Sequence, residues 1–281
     1  MKITRKQLFT PLISVILSLI TIPIFCVVIG LFSGSAMAQQ PATESSSKAP
    51  ENNEKYTFVI VHGATGGGWD WKTVAQHLSA KGHIVYRPTL TGLGDKYHLA
   101  SPEINLTTHI NDIVNMIIFE RLNNIVLVGH SYGGMVLTGV MNRIPQRIRH
   151  VTFVDAMVPD DGMSMIDVKP LKPSYKVIDG MIHFPWLKFD KPYPRDVIQS
   201  YKTYTEPVSY INPAAKRLDT TYLAFVPKGM SVEKRSRDIS WQRAKERGWT
   251  IRTFKGNHVV YRKKPAEFST VLIETVTDEN L

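Results

Sequence analysis

In Gly129-His130-Ser131-Tyr132-Gly133, a serine stands two residues from a glycine on either side. The apolar run Ile125–Val128 precedes it, and helical spacing over Met135–Asn142 follows. A chain that turns sharply from strand into helix holds the residue at the bend in strained backbone geometry, with its side chain lifted off the sheet. Glycines at these offsets, with Gly134 beyond them, let strand and helix approach without a Cβ clash. The hydroxyl then lies at a helix N-terminus, where free amides and the helix dipole favour developing negative charge. Ser131 is therefore the candidate nucleophile, and the Tyr132 N–H a candidate donor to an oxyanion.

A serine hydroxyl needs a base to take its proton, a second oxyanion donor and an acid to orient the base. The second donor is expected from the loop after the first strand, His62-Gly63-Ala64-Thr65-Gly66-Gly67-Gly68, with the Ala64 amide as candidate. Three histidines follow Ser131 in the chain: His150 at a strand start, His183 in an irregular section, and His258 in a loop between the last strand and the last helix. The order serine, acid, histidine selects His258 as base. His62 and His130 read as structural neighbours of the site. The acid is less determined. The loop Phe225–Met230 holds no carboxylate, and none appears before Glu233. Asp155, at the end of strand Val151–Val154, is the principal candidate, and it reads equally as a strand-end cap. Asp160, Asp161, Glu233 and Asp238 are the others.

Those residues need a frame. Short apolar runs at Phe58–Val61, His83–Arg87, Ile125–Val128, Val151–Val154, Thr221–Val226 and Thr250–Phe254 read as buried strands. Helical patterns at Trp69–Ala80, Asn105–Phe119, Met135–Asn142, Val232–Arg247 and Ala266–Val276 alternate with them. Such alternation predicts an α/β fold with a mostly parallel sheet covered by helices on both faces. Residues about 159–216 break the rhythm with prolines, methionines and aromatics, which reads as a lid inserted after the strand ending near Asp155. Its apolar side chains serve either as an acyl or alcohol pocket or as the lid's own core.

Lys2, Arg5 and Lys6, the apolar run Leu8–Phe32 and Ala36-Met37-Ala38 form the order of an export signal, predicting cleavage after Ala38 and a periplasmic or secreted protein. The alternative is an uncleaved membrane anchor. Residues 39–54 read as a polar tether, leaving one domain over 55–281. Cys26, inside the apolar run, is the single cysteine, so the mature chain would have no disulfide, thiolate metal site or cysteine nucleophile. Loss of the signal takes the formal charge from +10 to +7. The basic residues accompany no nucleic-acid motif and read as solvated surface, so no nucleic-acid partner is expected, nor stable membrane insertion once the signal is removed.

Five segments carry a resemblance: VHGATGGGWDW (61–71), RPTLTGLGDKYHL (87–99), GHSYGGMV (129–136), VDAMVPDDG (154–162) and GNHV (256–259). Together they resemble bacterial esterases related to plant methylesterases and hydroxynitrile lyases, within the α/β-hydrolase superfamily. The resemblance implies an α/β-hydrolase fold, a Ser–His–acid triad, no cofactor and small ester substrates. The related plant enzymes carry an aspartate near Pro227–Lys228, which this chain lacks. Lyases of the group are expected to have a lysine after the histidine and a threonine in the oxyanion loop; Val259 and Ala64 stand there, which favours hydrolysis. Two other readings remain: a non-catalytic binder on the same fold, and a short-chain-type reductase using the glycine-rich loop. The reductase would need a tyrosine with lysine four residues on, and no tyrosine here has one.

Overall fold

The computed structural model describes residues 54–277. The predicted export signal, its cleavage site, most of the tether and residues 278–281 lie outside the described residues. Strand β1 (Thr57–Val61) leads through a 3-10 turn into α1 (Lys72–Ala80), and β2 (Ile84–Tyr86) leads on to α2 (Leu106–Phe119). Strand β3 (Ile125–His130) turns into α3 (Gly133–Arg143), and β4 (Ile148–Val154) follows. An insertion then holds α4 (Met165–Val168), strands β5 (Lys176–Ile178), β6 (Met181–His183) and β7 (Gln199–Ser200), α5 (Lys202–Thr205) and α6 (Pro213–Lys216). The sheet resumes with β8 (Thr220–Val226), α7 (Val232–Arg235), α8 (Ile239–Glu246), β9 (Thr250–Lys255) and α9 (Pro265–Thr277).

The main sheet runs β2-β1-β3-β4-β8-β9, parallel throughout. Side chains along each strand alternate between two cores. Val59, Leu127 and Phe153 face the core shared with α2, α3 and α8. Phe58, Ile60, Val126 and Phe225 face the core shared with α1 and α9. Burial on both faces explains why β1 and β3 are apolar almost throughout. β5, β6 and β7 form a separate antiparallel sheet within the insertion.

One expected helix divides. The sequence predicts a continuous helix over Val232–Arg247, but Ser231 caps α7 by accepting from the Lys234 N–H, and Asp238 caps α8 by accepting from the Ser240 N–H at 3.0 Å. A side-chain oxygen that satisfies free amides starts a new helix where periodicity alone would continue the old one. No helix among the described residues is long and apolar enough to cross a membrane.

Candidate active site

The carboxyl-terminal ends of parallel strands are where side chains from several loops converge. The bend after β3 puts Ser131 in the left-handed region at φ +54. Backbone bonds hold it there: its N–H donates to Val154 O at 3.3 Å, and its carbonyl accepts from the Met157 N–H at 3.0 Å. The following glycine is required by contact, since a Cβ at Gly133 would lie 2.9 Å from the carbonyl oxygen of Val61. Helix α3 thus begins against the end of β1.

The loop after β1 is fixed from beneath. Leu90 N–H donates to His62 Nε2 at 3.1 Å, so Nδ1 carries the hydrogen and donates to Gly63 O at 2.8 Å. That carbonyl belongs to the same peptide plane as the Ala64 N–H, so the buried His62 sets the plane's direction. Burial pushes the His62 imidazole below its ordinary range and keeps it neutral. A Cβ on Gly63 would stand 3.2 Å from that of Ser131, so the loop lies against the serine. Among the described residues, neither the Ala64 nor the Tyr132 amide has a hydrogen-bond acceptor. Tyr132 is anchored by its side chain: its hydroxyl donates to His109 Nδ1 at 2.9 Å, and His109 Nε2 donates to Thr91 O.

His258 stands on the loop after β9. Its Nδ1 lies 2.5 Å from Asp155 Oδ2. Behind it, the buried His130 donates from Nε2 to the His258 carbonyl at 2.8 Å, which fixes the loop's backbone. Burial holds the His130 ring well below its ordinary range, so it is neutral. Asp155 has φ +45 and is almost enclosed. Its other oxygen, Oδ1, accepts from Arg235 Nη2 at 2.6 Å and from the Phe225 N–H at 3.1 Å. Burial pushes the Asp155 carboxyl up, but the bond and charge of His258 and the Arg235 guanidinium outweigh it. The group falls well below the usual carboxylate range and is ionised.

The remaining acids are engaged elsewhere. Asp160 pairs with Arg243 and Arg247, Asp161 accepts from the Tyr210 N–H, Glu233 pairs with Arg237, and Asp238 caps α8. Sequence reasoning missed Arg235. It lies in the basic run Lys228–Arg237, which reads as solvated, yet its side chain is only 12% exposed. Its Nε donates to Phe225 O, and its Nη2 reaches Tyr222 Oη as well as Asp155. Charge content does not reveal which cation of a run turns inward.

Ser131, Gly63, Ala64 and His258 line one cavity of about 410 Å³. The insertion supplies much of its wall, including Tyr175, Phe184, Trp186 and Tyr204. Phe184 and Tyr204 are buried and pack on each other, so these aromatics are both cavity wall and the insertion's own core. At the cavity's edge Arg262 binds both oxygens of Asp70.

Residues 58–271 match the Alpha/beta hydrolase family, and the chain belongs to it. Among its relatives is a carbendazim-hydrolyzing esterase from a Nocardioides species, 47% identical over 113 residues that make up 40% of this chain and 47% of that protein. Salicylic acid-binding protein 2 of Nicotiana tabacum is 38% identical over 106 residues, 37% of this chain and 40% of its own length. The chain thus spans about half the length of the curated relatives it matches. Among solved structures, an extracellular alpha/beta-hydrolase from a Paenibacillus species superposes with a TM-score of 0.66 at 20% identity, over 79% of this chain and all of that one. A pyrethroid hydrolase from Sphingobium faniae gives 0.63 at 17% identity, over 80% and 99% of the two chains. These superpositions establish the shared fold.

Proposed function

We propose that this protein is an exported serine esterase that cleaves small, partly apolar carboxylic esters through an acyl-enzyme on Ser131. The observation that carries the proposal is the contact between Nδ1 of His258 and the enclosed Asp155 carboxyl, with His258 and Ser131 lining one cavity. Esterases among the relatives support the choice of substrate class.

In this reading Ser131 Oγ attacks the ester carbonyl carbon as His258 Nε2 takes its proton. Asp155 holds the Nδ1–H tautomer and stabilises the imidazolium that forms. The amides of Ala64 and Tyr132 receive the oxyanion. Collapse breaks the bond to the alkoxy oxygen, which His258 protonates, and the alcohol departs. His258 then takes a proton from water, the hydroxide adds to the acyl carbon, and the returning proton frees Ser131 and a carboxylic acid. The insertion acts as a lid whose aromatic wall receives the apolar part of the ester.

An ester panel varied in acyl length and leaving group, run on wild type and Ser131→Ala, tests this. Expected is wild-type turnover on small esters and a loss of about 10³-fold or more in the folded variant. Equal turnover in the two proteins refutes the assignment. A non-catalytic binder would hydrolyse none of the panel.

A further inference from the structure

The residue after the candidate oxyanion amide has an unexpected backbone. Thr65 is buried and sits at φ +65. This region suits glycine and is a true outlier for a β-branched side chain. Three glycines follow immediately, so local sequence could have placed one here and did not. One local bond holds Thr65, from its hydroxyl to Ala64 O at 2.6 Å; the other contacts come from the insertion, more than a hundred residues away in the chain. Thr65 N–H donates to Gln199 Oε1 at 2.9 Å. Thr65 O accepts from the Val197 N–H at 2.9 Å. Its hydroxyl lies 3.1 Å from Asp196 Oδ1 and accepts from Trp186 Nε1 at 3.3 Å. Gln199 is itself buried, and its Nε2 donates to Thr203 Oγ1 at 2.9 Å, which fixes the amide with its oxygen toward Thr65.

We infer that the 196–199 segment is a clamp that sets the oxyanion loop, with Gln199 as its positioning residue. This rests on the esterase reading of Ser131. If Thr65 relaxed to negative φ, the Ala64–Thr65 peptide would turn, and that peptide adjoins the Ala64 amide across a single Cα. His62 fixes the loop on one side of Ala64 and Gln199 fixes it on the other. The amide is therefore aimed from both sides, by His62 through the Gly63 carbonyl and by the insertion through Thr65.

The test uses 4-nitrophenyl acetate turnover and the labelling rate of a fluorophosphonate, on wild type, Gln199→Leu, Thr65→Gly and the double variant. Gln199→Leu is expected to lower kcat by about 10- to 100-fold with KM changed less than about twofold, and to slow labelling in proportion. Glycine accepts positive φ unaided, so in the Thr65→Gly background the same change should cost less than about threefold. An equal loss in both backgrounds, or no loss in the first, overturns the clamp. If Gln199→Leu does not fold, Asp196→Ala replaces it, with a smaller kcat loss of about threefold that Thr65→Gly again suppresses. Wild type that neither turns over nor labels would fail the esterase reading itself, whereas an active wild type with an insensitive Gln199→Leu fails the clamp alone.

Discussion

Near the start of β4, His150 reaches across to Thr221 Oγ1 of β8 at 3.1 Å. Just past the other end of the same strand, Asp155 leans on the same neighbour, taking the Phe225 N–H and giving its own N–H to Leu223 O. Both side chains are largely enclosed. At the first end burial dominates: the ring bonds one neutral hydroxyl, the charges of Asp219 and Arg149 oppose each other, and the imidazole is pushed down to about 4 and stays uncharged. At the second end a guanidinium and an imidazole meet the carboxylate, and the charge persists despite burial. The β4–β8 pair is thus closed by a neutral bond at one edge and by a charged network at the other. Only the charged edge has left-handed backbone, at Asp155 beside Ser131. Burial alone does not make a site; the partners that keep a buried group ionised do.

Breaking the charged edge should cost most. Asp155→Asn keeps the shape but removes the charge that holds the His258 tautomer, and kcat should fall by about 10³- to 10⁴-fold. Steady-state kinetics on a small ester checks this, and a loss under tenfold would assign the acid elsewhere. Arg235→Ala leaves Asp155 Oδ1 without its cation, and unfolding free energy should drop by about 3 kcal/mol. Urea denaturation at neutral pH reads that loss, and an unchanged midpoint would make the ion pair incidental.

The neutral edge gives the smaller effect and a defined sign. His150, and His109 behind Tyr132, have folded values of about 4, below the ordinary 6.5. Between those values the unfolded chain binds more protons than the folded one. The stability they contribute is complete above pH 6.5 and is lost as pH falls toward 4, at about 1.4 kcal/mol per unit for each ring at most. Urea midpoints at pH 7, 5.5 and 4.5 should decline, and His150→Gln should flatten part of that decline. A flat profile in wild type would contradict neutral burial.

Much of this was legible in the chain. The strands of the sheet are apolar runs because two cores need them so, and the bend at Ser131 is written in the glycines that let α3 meet β1. Chain order pointed to His258 and strand position to Asp155, and the structure brings these two side chains to 2.5 Å, although residues alone left Asp155 open against Asp160, Asp161, Glu233 and Asp238. What sequence could not show was inward reach. Arg235 sits among solvated cations, and its burial depends on where α7 packs. Thr65 and Gln199 are far apart in the chain, and no periodicity joins them. The break at Asp238 was visible only as a polar residue, because a cap and a surface position carry the same side chain.

The central claim is a nucleophile at the β3–α3 bend. Labelling the folded protein with a fluorophosphonate, then mapping the adduct by peptide mass spectrometry, tests it most directly. The account predicts a single adduct on the peptide containing Ser131, abolished in His258→Ala. An adduct on another serine, or none on an ester-hydrolysing protein, would contradict it.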